Sequence, residues 1–288
     1  MKTILLFSFA SVITSLFVSM PATATTGNEI ILSNEAKWEA LNPARGDRSP
    51  KAATLWGDRN GTVATGFLVK FVDGFSSPPH IHNVSYRGVV ISGLIHNDDP
   101  NADKMWMPTG SFWTQPKGEA HITAAKGSTN VAYIEIEQGP YLVQPIEKTF
   151  DSGESSINVD ASNIVWLDAA NTTWIEQSTT STATHWPKLA YLWGKPHNNQ
   201  VHGTLVKLPA GFVGKINHHG SSFRAVVIKG QLQYQVNKAE VKTLQPGSYF
   251  SSKGKSLHII SAKVAEESII YLRTDGKFKV ITTGLSQK

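Results

Sequence analysis

Three histidines and a tyrosine carry the chemistry this sequence is able to do. His80-Ile81-His82 sets two imidazoles two residues apart, Tyr86 follows, and a third imidazole, His121, comes from a later segment. Side chains two apart on a strand share a face, so His80 and His82 point the same way, and Tyr86 joins them if the strand stays regular. Two imidazoles from one strand and one from a neighbour make a three-nitrogen face for a divalent metal. That leaves coordination positions open for water or substrate, the pattern of a catalytic centre rather than a structural one. The donor set suits iron, zinc, manganese, copper or nickel and does not choose among them. Tyr86 is the candidate catalytic residue, as a weak ligand, a proton-donating partner of the bound molecule, or a wall of its pocket. Glu119, two residues before His121, has the parity to face inward, but a solvated loop acid after Gly118 is the simpler expectation.

The elements that must position these groups are written twice. Leu55-Trp56-Gly57 recurs as Leu192-Trp193-Gly194, Leu68-Val69-Lys70 as Leu205-Val206-Lys207, and Val89-Val90-Ile91 as Val226-Val227-Ile228, each pair 137 positions apart. The same spacing joins Gly74-Phe75 to Gly211-Phe212, and His121-Ile122 to His258-Ile259. So long a period excludes a solenoid, and each copy must bury its own core. Residues 25–150 and 151–288 are the expected domains, with the polar, Ser-rich stretch near 151–163 as their joint. Segments such as 66–72, 86–91, 132–136, 205–208, 223–228 and 268–272 are rich in Val, Ile and aromatics, with Gly, Pro, Asn or Asp between them. No stretch keeps a helical apolar period over a dozen residues, so each half is expected to be an all-β sandwich or barrel.

The second copy keeps only part of the donor set. At a constant spacing of 137, Asn217, His219 and His258 fall on the positions of His80, His82 and His121, and Phe223 on that of Tyr86. His218 lies on the opposite strand face from His219 and reaches a site only through a bulge. His219 and His258 are thus a possible second metal site, with a structural role for this half the stronger expectation.

The first copy's spacing resembles the two motifs of the cupin superfamily, G-x5-H-x-H-x3-E-x6-G and G-x5-P-x-G-x2-H. Gly74, His80, His82, Gly93, Gly110, Pro116, Gly118 and His121 fit, and Tyr86 stands where the family usually has a glutamate ligand. Within the superfamily the chain is most similar to the cupin domain of the ChrR anti-sigma factor and to DUF4437 proteins. The resemblance implies two tandem double-stranded β-helix, or jelly-roll, domains, a bicupin. It also implies a metal held by His80, His82 and His121 in the mouth of the first barrel. Acetylacetone-cleaving dioxygenases of the superfamily likewise use three histidines without the carboxylate.

Composition narrows the partners. With 27 Lys and Arg against 22 Asp and Glu the chain is mildly basic, but it has no basic run and no nucleic-acid motif, so nucleic acid is not an expected partner. The absence of cysteine excludes disulfides, zinc-thiolate sites and cysteine nucleophiles. Met1-Lys2-Thr3, the apolar stretch 4–20 and Pro21-Ala22-Thr23-Ala24 read as a secretory signal peptide cut after Ala24. No later stretch approaches the length of a spanning helix, so the expected product is exported, periplasmic in a Gram-negative cell, and not inserted in a membrane. Trp106 and Trp113 flank the second motif and are candidates to line an apolar pocket, whereas Trp56 and Trp193 match across the copies and read as packing. The expected function is a metal-dependent enzyme, of dioxygenase, isomerase or hydrolase type, acting on a small molecule. A non-catalytic ligand-binding or sensing module is the alternative, and a homodimer is possible.

Overall fold

The computed structural model describes residues 28–176, 186–196 and 199–285. The expected signal peptide, 1–24, lies outside the described residues. Among the described residues no helix is long and apolar enough to cross a membrane.

The chain is all-β, two jelly-roll barrels in tandem, and its strands follow the alternation of the sequence. Phe212–His218 buries Phe212, Gly214, Ile216 and His218 and leaves the residues between them half exposed. In the first barrel, the long strands Tyr86–Asp98 and Ile122–Ile136 pair antiparallel, with register shifts between Val90 and Leu94. Gly93 sits at that bend with φ of 74°, and a Cβ there would meet the Asn130 side chain and the Thr129 carbonyl. In the second barrel the same course is divided. Ser222–Lys229 and Ser268–Thr274 lie in one sheet, and Leu232–Gln235 and Ser256–Ala262 in the other.

Among the described residues, three apolar clusters hold the molecule together. One fills the first barrel around Phe67, Val90, Ile95 and Trp113, and another fills the second around Phe212, Phe223, Phe250 and Phe278. The third joins the barrels, packing Leu55, Leu68 and Tyr133 against Leu205, Val226 and Tyr271. Each such side chain contributes roughly 1.5–3 kcal/mol when fully buried, so the seam is a stability-bearing interface and not a linker.

The division at 150/151 is crossed in both directions. Glu29–Ile31 pairs with Tyr249–Lys253 on the second barrel's sheet, with Glu29 opposite Ser251. Ile157–Val159 pairs with Phe112–Gln115 on the first barrel's sheet, with Ile157 opposite Thr114. The stretch expected to be the joint thus also contributes an edge strand to the first barrel's sheet.

Candidate metal centre

His80 and His82 stand on the short strand His80–His82, which pairs with Val143–Pro145, and His121 lies opposite His80 in an isolated bridge just before Ile122–Ile136. The strand parity turns both imidazoles inward, and the bridge brings the third across to them. One ligand atom from each of the three lies within 4.8 Å of the other two. Among the described residues no other group of three or more His, Cys, Asp or Glu side chains is placed this way.

The outer nitrogens fix how these rings are used. His80 Nδ1 is 2.9 Å from the Pro78 carbonyl, His82 Nδ1 3.1 Å from the Leu142 carbonyl, and His121 Nδ1 3.3 Å from the Glu119 carbonyl. A carbonyl only accepts, so each Nδ1 carries the proton and each Nε2 presents a lone pair. Backbone partners of this kind set tautomer and ring angle in metal-binding histidines. Burial holds all three imidazoles neutral. It lowers His80, and it lowers His82 well below the ordinary histidine value, with the neighbouring His121 and His80 adding to the effect. His121 is pushed down to about 3 by burial and then by His80. Three neutral rings with their lone pairs turned to one point fit a divalent transition metal.

Two phenols flank the histidines. Tyr86 Oη lies 3.3 Å from His121 Nε2, and it donates its proton to Asn97 Oδ1 at 2.9 Å. Thr123 Oγ1 donates to the same amide oxygen at 2.8 Å, and Asn97 Nδ2 donates to Gln115 Oε1 at 2.8 Å. One proton cannot serve two acceptors, so the lone pair of His121 Nε2 has no donor, which is the condition a metal would satisfy. Burial pushes the Tyr86 phenol far above its ordinary value, so it acts as a neutral hydrogen-bonding group. Tyr141 is the second phenol. Its hydroxyl is 3.2 Å from His82 Nε2, and its ring stacks on His82 at 4.4 Å between centroids.

The other sequence candidates separate. Glu119 serves through its main chain, whose carbonyl orients His121, while its carboxylate meets Ser156 at 3.3 Å and is not part of the cluster. Trp113 is buried in the first barrel's interior beside Tyr86. Trp106 is not brought to the site. Its ring lies 6.2 Å from that of His96, which alternation along Tyr86–Asp98 turns to the face opposite Ile95 and Asn97.

The second-copy expectation is corrected. His80 pairs with His121 in the first barrel, but Ile216 pairs with His258 in the second. The counterpart of His82 is therefore His218, and Ile216 replaces His80. His219 is exposed just beyond the strand end. A one-residue slip exchanges the two faces of a strand, so the constant spacing of 137 selected the outward histidine. The inward pair is bonded within the protein. His218 Nε2 meets Thr274 Oγ1 at 2.6 Å, and His258 meets Tyr234 Oη at 2.8 Å and Ser252 Oγ at 3.1 Å. Asn97, Gln115, Thr123 and Tyr141 were not legible as site residues. The sole signal was the inward parity of Asn97 with Ile95, hidden because the polar run 97–101 reads as a turn.

Comparison with known proteins agrees with this architecture. The family described as Domain of unknown function (DUF4437) matches residues 29–281. No curated protein matches the chain. Among solved structures, a candidate dioxygenase of Nostoc punctiforme aligns with TM-score 0.63 at 14% identity, over 88% of this chain and 84% of that one. The E. coli protein Ylba, of family DUF861, aligns with TM-score 0.57 at 14% identity, over 89% and 94% of the two chains. An oxalate decarboxylase of Lactobacillus farciminis aligns with TM-score 0.54 at 11% identity, over 88% of each. Those identities speak for the shared fold alone, and the family match across nearly the whole described chain makes this two-barrel jelly-roll protein a member of DUF4437.

Proposed function

We propose that this protein is an exported, metal-dependent enzyme that acts on a small organic molecule at His80, His82 and His121. The observation that carries the reading is the set of three backbone carbonyls, of Pro78, Leu142 and Glu119, that commit every Nδ1 and leave a lone pair on every Nε2. A structural site would close its coordination with a fourth protein donor, and here the cupin glutamate position is held by a phenol whose proton is engaged elsewhere. Export rests on the N-terminal segment 1–24.

When bound, a divalent transition metal supplies Lewis acidity to an oxygen of the substrate. The chain supplies the rest. His80, His82 and His121 hold the metal. Tyr86 keeps its proton and presents an oxygen at a position fixed by Asn97, Thr123 and Gln115. The apolar wall of Phe67, Ile134 and Trp113 excludes bulk water, which strengthens every polar contact inside. One observation favours a non-catalytic binding module instead. The Tyr86 proton is committed to Asn97, and among the described residues no carboxylate belongs to the cluster to act as a base.

The test is metal content by mass spectrometry on protein made without a polyhistidine tag, beside the variant His80→Ala/His121→Ala, followed by turnover assays with small oxygen-bearing molecules. About one transition metal per chain, lost in the variant, with a substrate converted, supports the enzyme. Saturable binding of a ligand recovered unchanged supports the binding module. No metal in either protein after reconstitution overturns both.

A further inference from the structure

Tyr141 stands outside both histidine motifs, on the segment between Ile122–Ile136 and Val143–Pro145. Besides its pairing with the His80–His82 strand, that segment is held by contacts to other residues. Tyr141 N–H donates to the Arg59 carbonyl at 2.9 Å. The Asn83 side chain donates to the Pro140 carbonyl at 2.9 Å and accepts from Leu142 N–H at 2.8 Å. Gly139 passes so close to Gly61 that a Cβ would meet the Gly61 carbonyl oxygen. With the ring edge-on to Phe67 at 5.2 Å, the backbone and packing fix where the Tyr141 hydroxyl sits.

The sole hydrogen-bond partner of that hydroxyl among the described residues is His82 Nε2, at 3.2 Å. His82 carries its proton on Nδ1, facing the Leu142 carbonyl, so Tyr141 is the donor in this contact. A metal at the three histidines takes the lone pair of that nitrogen in the ring plane, while the stacked Tyr141 hydroxyl meets it from the ring face. The Tyr141 O–H is then a buried donor without an acceptor, held beside the centre by the contacts of its segment with Arg59, Asn83 and Gly61. Tyr86 escapes this, because Asn97 accepts its proton whether or not a metal is present. The second barrel, which lacks the three-histidine set, lacks the phenol as well. Pairing of His82 with Val143 and of His218 with Phe278 sets Gly276 at the position of Tyr141.

We propose that Tyr141 is a ligand-binding residue of the centre. Its hydroxyl, released from His82, donates to the ligand atom that fills a coordination position the three imidazoles leave open. This rests on the metal reading above and selects for small ligands whose bound atom has a spare lone pair, such as a carboxylate, an enolate or azide.

The experiment loads the full chain with cobalt(II) and titrates azide, following the visible cobalt spectrum, for wild type, Tyr141→Phe and a chain with 4-aminophenylalanine at position 141. Cobalt affinity and melting temperature are measured in parallel. The expected result is that Tyr141→Phe binds cobalt as wild type does but azide about tenfold or more weakly, the loss expected for one hydrogen bond to a charged group. The aminophenylalanine chain, which keeps the ring and an N–H donor, should recover most of the azide affinity and serves as the folded probe if Tyr141→Phe does not fold. Equal azide affinity in wild type and Tyr141→Phe overturns the proposal, as does loss of cobalt together with azide. Failure of wild type to take up cobalt is seen before azide is added and overturns the metal reading itself.

Discussion

Glu135 and Arg273 occupy corresponding positions in the two barrels and pair with each other across the seam, at 3.2 Å. The correspondence comes from the ladders, where Glu135 lies opposite Gly66 and Arg273 opposite Gly203, the repeat partner of Gly66. Tyr271 and Tyr133 donate to the two Glu135 oxygens at 2.8 and 3.1 Å, and Trp56 and Trp193 donate to those tyrosines in turn. Arg273 also reaches Glu137 at 2.6 Å. Glu135 is 1% exposed, so its charge depends on these partners.

Arg273→Met should therefore cost about 3–5 kcal/mol, the penalty for stranding a buried charge. Adding Glu135→Gln should restore part of the loss. Chemical denaturation of both single variants and the double variant checks this, and strictly additive losses would rule out the coupling.

Tyr86→Phe should leave metal content unchanged and cost about 1 kcal/mol, because Asn97 Oδ1 keeps Thr123 as a donor. Metal analysis and denaturation decide the point. Loss of metal in this variant would make Tyr86 a ligand.

His258 is pushed down to about 3 by burial and then by His218, from an ordinary value of 6.5. Between those values the unfolded chain binds a proton that the native chain refuses. The stability this histidine provides is thus present above about pH 6.5 and is lost as pH falls toward 3, by up to about 1.4 kcal/mol per pH unit. His258→Gln should flatten the decline in denaturation midpoints from pH 7 to pH 4. Parallel curves for the two proteins would refute it.

Gly93→Ala should destabilise the first barrel by more than about 1 kcal/mol, since a Cβ at φ of 74° is strained and collides with Asn130. A melting temperature equal to that of wild type would show that the bend tolerates a side chain.

The all-β architecture, the duplication and the three histidines of the first barrel were legible, because strand parity and fixed spacing carry them. His218 was hidden because ladder register, not chain position, determines which residue faces inward. At the His82 position the copies differ by 136 residues and at Glu135 by 138, a drift that an ungapped repeat does not reveal. Tyr141 and Asn97 were hidden for another reason. They reach the centre from segments whose local composition reads as turn and connector, and only tertiary placement gives them partners.

The crossed strands Glu29–Ile31 and Ile157–Val159 bear on how the molecule comes apart. Each barrel seals an edge of the other, and opening either would leave unpaired N–H and C=O groups along Tyr249–Lys253 or Phe112–Gln115. The barrels should consequently melt in one cooperative transition, and neither should persist as a cleaved fragment. The second barrel, which lacks the three-histidine set, then cannot be removed without unmaking the first, which has it.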